Sequence, residues 1–360
     1  MPLPATTRAL VIRENAPYHD AVVERQPLRA LRPGEVLVKI GAAALNHRDV
    51  WIRKGLYPKI AFGSTFGSDG AGTVVAAADP HDALLGQRVF LTPMRGWEKS
   101  PAAPESAFGT VGGTAYPPLG TFAEHVIVER TEVIRTPVHL TDVQAAAWPL
   151  AGLTAWRALS LGGVQAGSTV LITGIGGGVA LLALQLSLAL GARVYVTSSS
   201  PAKITRAAAL GASGGVLYTA PKWAAELGKL LARDGVTGGV TVVIDGAGSE
   251  IMQAVSPVLA QGGRVVCYGM TDMKTPRITM TMREVMRNQQ LIGSTMGSKA
   301  ELIAATRLLE QKKIVPVVAA VVEGLENAEQ GFVMMEKGSQ FGKIVVTIGD
   351  KDQTAAEAKL

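Results

Sequence analysis

Cysteine is nearly absent from this chain of 360 residues, which contains one, Cys267. A single cysteine excludes an intramolecular disulfide framework and favours a reducing compartment. Glycine is plentiful by comparison, with 41 residues, and 48% of the chain is hydrophobic. This composition is typical of a soluble α/β protein with many tight turns, and the length predicts two domains.

Long hydrophobic runs are also missing. The longest, Val179 to Leu190, is too short to span a bilayer and contains Gln185 and Ser187. The first residues lack both a secretory apolar core and an Arg-rich amphipathic stretch, so we expect a cytoplasmic protein with no membrane partner. The net charge of +6 is spread along the chain rather than gathered in a stripe, which argues against nucleic-acid binding.

The central stretch of the chain predicts a strand, a glycine turn, a helix and a second strand. Thr169 to Thr173 is apolar and β-branched, Gly174 and Gly176–Gly178 follow, and Val179 to Leu190 has helical length. A further strand, Ala192 to Thr197, comes next. In such a βαβ unit the glycines allow phosphate oxygens to approach the backbone N–H groups at the helix N-terminus. An ordinary crossover needs one glycine and not four, so the pattern predicts a dinucleotide site.

Acidic residues are absent between positions 143 and 225. A site for NAD usually has an Asp or Glu after the second strand, whereas this chain has Ser198, Ser199, Ser200 and then Lys203. Hydroxyls and a lysine suit a 2′-phosphate, which favours NADPH over NADH. The alternative is that the serines cap the next helix while Lys203 is solvated, and both can hold together.

The turn Gly174-x-x-Gly177-Gly178-Val179-Ala180 resembles that of the zinc-independent, quinone-oxidoreductase-like branch of the medium-chain dehydrogenases/reductases, and the similarity extends to about residue 348. The resemblance implies an α/β fold with a doubly wound parallel Rossmann sheet and a GroES-like β-barrel catalytic domain. The catalytic domain would comprise residues 1–145 completed by 313–360, and the NADP-binding domain residues 146–312. In relatives the strand matching residues 289–295 pairs across a dimer, so we expect a homodimer.

The resemblance also indicates where zinc would be held in metal-dependent relatives. Their cysteine and histidine ligands correspond to Asn46 and Ser68, and catalytic zinc needs about three Cys, His or carboxylate ligands. Cys267 lies in an apolar strand and reads as a packed thiol, and the five histidines are dispersed, with only His47 a functional possibility. The segment of the structural zinc, residues 95–121, has no cysteine and is predicted to be an ordinary, mobile loop. We therefore expect no metal.

Candidate cofactor residues come from the glycine turn, from the carboxyl ends of the predicted strands and from the resemblance. Lys203 and Tyr218 resemble the branch's 2′-phosphate contacts, and Thr154 matches a threonine at the nicotinamide end. A helix-capping role for Thr154 and a solvated position for Lys343 remain open. The full set is Thr154, Gly176, Gly177, Gly178, Val179, Ser198, Ser199, Lys203, Tyr218, Gly246, Ala247, Tyr268, Gly269, Thr295, Gly297 and Lys343.

Without a Lewis acid, negative charge that develops on a substrate oxygen must be stabilised by hydrogen bonds, which is easier for a conjugated acceptor. Asn46 is the candidate catalytic residue, donating to that oxygen or to the nicotinamide ribose, unless it only closes a turn. Asp49 and Asp69 are expected to orient neighbouring groups. We predict an NADPH-dependent reductase of a quinone, enone or related carbonyl; an NADP-dependent alcohol/aldehyde dehydrogenase and a silent NADPH-binding protein remain alternatives.

Overall fold

A computed structural model describes residues 4–272 and 277–348. The chain forms two compact units, the first comprising residues up to Leu150 together with those from Ser298 onward, and the second running from Ala151 to Gly297. Within the described part of the chain, every helix is too short or too polar to cross a membrane. The predicted fold class, a parallel Rossmann sheet plus a GroES-like domain, is confirmed.

The first unit begins with strands whose apolar residues are buried, as the β-branched runs of the sequence predict. Val36, Val38 and Ile40, which alternate along one strand, are all fully buried. The elements of this part of the chain are β1 (Thr6–Arg13), β2 (Asp20–Pro27), β3 (Glu35–Ala44), α1 (His47–Arg53), β4 (Asp69–Ala77), β5 (Arg88–Leu91), β6 (Met94–Arg95), β7 (Gly109–Thr110), β8 (His125–Glu129), β9 (Val133–Arg135) and α2 (Asp142–Ala146).

The second unit is a parallel sheet with helices in its crossovers. Its elements are α3 (Pro149–Gly162), β10 (Thr169–Ile172), α4 (Gly178–Ala189), β11 (Arg193–Ser198), α5 (Pro201–Ala209), β12 (Gly214–Leu217), α6 (Trp223–Arg233), β13 (Val240–Asp245), α7 (Ile251–Val255), β14 (Leu259–Cys267), α8 (Met282–Met286) and β15 (Gln290–Gly293). The strand order is β12-β11-β10-β13-β14-β15, with every pair parallel. The order reverses between β10 and β13, which is where doubly wound sheets bind ligands.

The chain then returns to the first unit through α9 (Lys299–Gln311), β16 (Val318–Glu323), α10 (Ala328–Lys337) and β17 (Lys343–Thr347). The sheet of the first unit has the order β16-β17-β3-β4-β5-β9, and β8 pairs with β3. The predicted domain division places α9 with the nucleotide-binding domain. In the structure α9 contacts the first unit, because Trp148 Nε1 donates to Thr306 Oγ1 at 2.9 Å and the Lys299 N–H donates to the Trp97 carbonyl at 2.9 Å.

Two local predictions need correction. The sequence from Ser249 to Leu259 predicts one helix, but α7 covers only Ile251–Val255 and β14 already begins at Leu259. Pro257 explains the early end, because it has no N–H to donate to the carbonyl four residues earlier, although Ser256 before it still has helical dihedral angles. The segment 95–121 is also built more tightly than an ordinary, mobile loop, since it contains the β6–β7 pair and the buried side chain of Trp97.

Candidate functional site

The glycine turn of the second unit has the geometry that the sequence predicts. β10 is buried along its whole length, and α4 begins at Gly178 with Gly177 as its N-cap. Gly174 and Gly176 have φ of +61° and +136°, which L side chains rarely adopt. The turn is fixed to the end of β11, because the N–H groups of Gly174 and Ile175 donate to the Thr197 hydroxyl and carbonyl at 3.1 and 2.8 Å.

Gly177 is the most informative glycine of this turn. Its φ of −77° is open to any residue, and a Cβ added here would meet no atom within 4 Å. Neither the backbone conformation nor the packing of the protein therefore requires glycine at this position. The helix N-terminus has unpaired N–H donors and a partial positive charge, so the space beside Gly177 fits a phosphate group. These residues fit the dinucleotide that the sequence predicts.

The residues predicted to contact a 2′-phosphate lie at adjacent strand ends. Tyr218 N–H donates to the Ser198 carbonyl at 3.1 Å, which joins the ends of β11 and β12, and Lys203 lies in the first turn of α5. Burial and the neighbouring Arg206 lower the pKa of Lys203. Ser200 is the N-cap residue of α5, as the alternative predicts, but its side chain makes no cap hydrogen bond. The Ser198 hydroxyl instead accepts the Ser200 N–H at 3.2 Å, while Ser199 is exposed.

The ends of β13 and β14 pack against each other. A Cβ on Gly246 would lie 2.6 Å from the Tyr268 ring, and one on Gly269 would lie 3.0 Å from the Gly246 carbonyl, so close packing by itself accounts for these two glycines. Ala247 follows directly in the same turn. The sequence reasoning missed Asp245, a buried carboxylate that accepts the Thr173 hydroxyl at 2.5 Å and the Gly248 N–H at 2.6 Å.

The structure also brings together the residues predicted for the nicotinamide end. Thr154 lies inside α3, so the alternative of a helix-capping threonine is wrong. Its hydroxyl contacts the Met296 sulfur at 3.8 Å, which brings the segment containing Thr295 and Gly297 to α3. Met296 is buried with φ of +44°, an uncommon conformation for a residue other than glycine, and this role of Met296 was not predicted.

Asn46 is the centre of a buried polar cluster in the first unit. It precedes α1, and its amide Nδ2 donates to Asp69 Oδ2 at 2.9 Å. The Lys343 ammonium donates to Asn46 Oδ1 at 2.6 Å and to Asp69 Oδ2 at 2.9 Å. Lys343 and Asp69 are 4% and 0% exposed, so the alternative of a solvated lysine is wrong. Two hydrogen bonds that are assisted by charge therefore fix the orientation of the Asn46 amide.

The two aspartates of the cluster orient their neighbours, as the sequence predicts. Asp69 Oδ1 accepts the Leu150 N–H at 2.8 Å, and Asp49 Oδ2 accepts the Asn46 N–H at 2.8 Å. Burial raises the pKa of Asp49, and the charge of Arg48 opposes this shift. The guanidinium of Arg48 donates from Nη1 to the Ser68 hydroxyl and the Val111 carbonyl, both at 3.0 Å.

The residues at the expected zinc-ligand positions do not fit the metal. Asn46 and Ser68 are neutral, and each already accepts a hydrogen bond from a cationic side chain, Lys343 and Arg48. A divalent cation placed here would face two positive charges and lack the thiolate or imidazole donors that zinc prefers. Among the described residues, no group of three or more His, Cys, Asp or Glu side chains is arranged to hold a metal ion.

Cys267 matches its expected role as a packed thiol. The Cys267 thiol on β14 lies 3.9 Å from Asp245 Oδ2, and burial together with this carboxyl raises its pKa to about 12. A thiol with so high a pKa is a poor metal ligand and a poor nucleophile, because both roles require the thiolate. His47, the functional possibility among the histidines, is exposed and packs edge-to-face against Trp51.

Known proteins share both the sequence patterns and the fold. Residues 32–138 match the alcohol dehydrogenase GroES-like domain, and residues 178–311 match the zinc-binding dehydrogenase family. The zinc-type alcohol dehydrogenase-like protein YogA of Leptosphaeria maculans is 39% identical over 97% of this chain and 100% of its own length.

Two solved structures have the same fold as this chain. An NAD-dependent alcohol dehydrogenase has a TM-score of 0.82 and 32% identity, covering 95% of this chain and 100% of its own. The crotonyl-CoA carboxylase/reductase AntE in complex with NADP has a TM-score of 0.84 at 22% identity, covering 96% of each chain, and shows the shared fold. The chain therefore belongs to the medium-chain, zinc-type alcohol dehydrogenase-like family of NAD(P)-dependent oxidoreductases.

Proposed function

We propose that this protein is a zinc-independent, NADPH-dependent reductase of the activated double bond of a quinone, an enone or a related carbonyl compound. The observation that carries the proposal is the Asn46 amide, which Lys343 and Asp69 hold in one orientation at a metal-ligand position of the family. The amide uses one of its two hydrogens on Asp69, so the second is available to an acceptor oxygen.

Bound NADPH would supply two electrons as a hydride. In the proposed reaction the electrophilic carbon of the acceptor would gain this hydride, its π electrons would move toward the carbonyl oxygen, and a proton from water would complete the reduced product. Because Asn46 and Ser68 are not ligands that zinc prefers, we infer that fixed hydrogen-bond donors stabilise the negative charge on the oxygen. Conjugated acceptors suit such a site, since their charge is delocalised before the proton arrives.

The preference for NADPH rests on the charge around Lys203. A 2′-phosphate would be repelled by an acidic residue, and positions 143–225 contain none. Lys203 and Arg206 instead lie one helical turn apart on α5, and a phosphate beside these two cations would be stabilised. The NADP bound to AntE is compatible with this proposal, although the NAD-dependent dehydrogenase of similar fold uses the other cofactor.

The alternative is an NADP-dependent alcohol or aldehyde dehydrogenase, which the 32% identity to an alcohol dehydrogenase favours. A panel assay separates the two reactions: NADPH oxidation with p-benzoquinone, ethyl vinyl ketone and crotonaldehyde, and NADP⁺ reduction with primary alcohols. We expect turnover with the conjugated acceptors, and we expect treatment with a chelator to leave its rate unchanged. Metal analysis should find less than one equivalent of zinc per chain. Turnover with the alcohols alone, or tight NADPH binding without any turnover, would contradict the proposal.

A further inference from the structure

Arg48 is a buried cation whose hydrogen bonds are incomplete. Only 8% of its side chain is exposed, and its Nη1 donates to two neutral oxygens, those of Ser68 and Val111. Its Nε and Nη2 atoms are buried and have no hydrogen-bond partner. Leaving buried N–H groups unpaired is costly, so a native structure that keeps two of them on one side chain calls for an explanation.

Other buried cations of the same unit are paired differently. Lys343 bonds to Asp69, Arg95 bonds to Glu129 at 2.9 Å, and Arg53 bonds to Glu329. The carboxylate nearest to Arg48 is that of Asp49, whose Oδ1 lies 3.6 Å from Nη1, too far for a hydrogen bond. That Oδ1 is also unpaired. The positive charge of Arg48 is therefore compensated less completely than the charges of these three residues.

The two unpaired atoms occupy one edge of a planar group. Nε–H and one Nη2–H of a guanidinium point in parallel, a geometry that matches the two oxygens of a carboxylate. Ser68, which fixes the other edge, directly precedes Asp69 of the Asn46 cluster. The aspartate that follows Arg48 in the chain, Asp49, accepts the Asn46 N–H. Arg48 is thus connected to the Asn46 cluster through its hydrogen bond to Ser68 and through its chain neighbour Asp49.

We propose that Arg48 determines substrate specificity by binding a carboxylate of the acceptor through its Nε and Nη2 atoms. The acceptor is then an enone or quinone that carries a carboxylate, and Asn46 acts on its carbonyl oxygen. This inference rests on the proposed reductase function and specifies its substrate class.

The ring of Tyr57 stacks on the guanidinium group of Arg48. Its centroid lies 4.6 Å from the Arg48 Cζ atom, in a cation–π contact that partly compensates the buried charge. Because Nε and Nη2 are closed to solvent, an entering carboxylate has to displace a neighbouring group. Tyr57 is half-buried against the core of the first unit and lies between the exposed residues Leu56 and Pro58, so its ring would move outward at the expense of part of this packing.

The test compares two substrates that differ in one charge, β-acetylacrylate and its methyl ester. The ester is the stronger electrophile, so chemical reactivity alone favours the ester. We expect the kcat/KM of the wild-type protein to be about 10- to 100-fold higher for the acid, the range that one or two charge-assisted hydrogen bonds give. Arg48→Met should abolish this preference by lowering the value for the acid, while Arg25→Met, at an exposed position on β2, should keep it.

Three results would overturn the proposal. The first is a wild-type protein without preference for the acid, and the second is an equal loss of both activities in Arg48→Met, which would assign Arg48 to the reacting carbonyl or to the fold. The third is a variant Arg48→Lys that retains the full preference, because lysine keeps the charge but lacks the planar pair of donors. Thermal unfolding of each variant identifies any loss of folding.

A binding measurement separates this inference from the reductase proposal. Levulinate, the reduced product, and its methyl ester are titrated by calorimetry into the NADP⁺-saturated protein. If neither enone is reduced but levulinate binds to the wild-type protein and not to Arg48→Met, the reductase function fails and the carboxylate site stands. If levulinate binds no better than its ester, the site is refuted whatever the reductase assay gives.

Discussion

Replacing Lys343 with methionine should lower both the free energy of unfolding and the activity of the protein. The variant removes a buried ammonium that bonds to Asn46 Oδ1 and Asp69 Oδ2, and Asp69 is fully buried. Breaking a buried ion pair by removing one partner costs about 3–5 kcal/mol, because the remaining charge is uncompensated. Asp69 keeps two donors, the Asn46 amide and the Leu150 N–H, so we expect the lower end, about 3 kcal/mol.

The double variant Lys343→Met/Asp69→Asn gives the matched control. Removing both charges leaves no uncompensated carboxylate, so this variant should regain at least about 1 kcal/mol relative to Lys343→Met alone. Urea unfolding measures both effects, with the transition of the first unit fitted separately if the two units unfold apart. A loss below about 1 kcal/mol in Lys343→Met, or strictly additive effects in the double variant, would refute the ion-pair account.

The same variant tests the catalytic role of the Asn46 amide. Without Lys343 the amide has no cationic donor on its oxygen and can rotate by half a turn, which exchanges donor and acceptor. We expect kcat/KM with the conjugated acceptors to fall by about 10- to 100-fold, equivalent to about 1.4–2.8 kcal/mol of transition-state stabilisation. NADPH affinity should change less than this, because the residues proposed to bind the phosphates belong to the other unit.

Three further predictions follow from individual contacts. Lys203→Ala should weaken NADPH binding by at least about tenfold and leave NADH binding unchanged in fluorescence titrations; equal losses would contradict the 2′-phosphate assignment. Asn46→Ala should lower kcat while circular dichroism shows a folded protein, and unchanged kinetics would reduce Asn46 to a structural role. The Glu105 carboxylate accepts the N–H groups of residues 98–100, which lower its pKa to about 2. These hydrogen bonds therefore stabilise the folded protein fully at pH values above the pKa of glutamate in the unfolded chain, about 4.3. This stabilisation is lost as the pH falls toward 2. Thermal melts of Glu105→Gln should lack this part of the acid destabilisation, and curves parallel to the wild type would contradict it.

The nucleotide-binding half of the fold could be predicted well because its signals are local. The β10 run, the glycines and the apolar helix each carry their own periodicity within about twenty residues, and the observed helix differs from the prediction by one residue at each end. The prediction of one helix from Ser249 to Leu259 was wrong for a local reason as well. The apolar run from Ser249 to Leu259 suggested one element, and the missing N–H of Pro257 was not taken into account.

The polar clusters were much harder to predict, because their members are far apart in the sequence. Asn46 and Lys343 are separated by 297 positions, and only the closing of the first-unit sheet by β17 beside β3 brings them together. No local pattern reveals that Lys343 is buried or that Arg48 makes no hydrogen bond to a carboxylate. Asp245 and Met296 were missed for the same reason, since an Asp at the end of an apolar strand and a Met in a turn are ordinary in isolation.

The most direct test of the account is the variant Gly177→Ala, because neither the backbone conformation nor the packing accounts for a glycine at this position. Its φ of −77° accepts alanine and the added Cβ meets no atom within 4 Å, so the thermal stability should stay the same or rise slightly. Gly238→Ala, at an exposed glycine of the same unit with equally open surroundings, is the control. We predict that Gly177→Ala weakens NADPH binding by about 10- to 100-fold in calorimetry while Gly238→Ala does not. Unchanged NADPH affinity in a folded Gly177→Ala protein would contradict the placement of the dinucleotide at this turn.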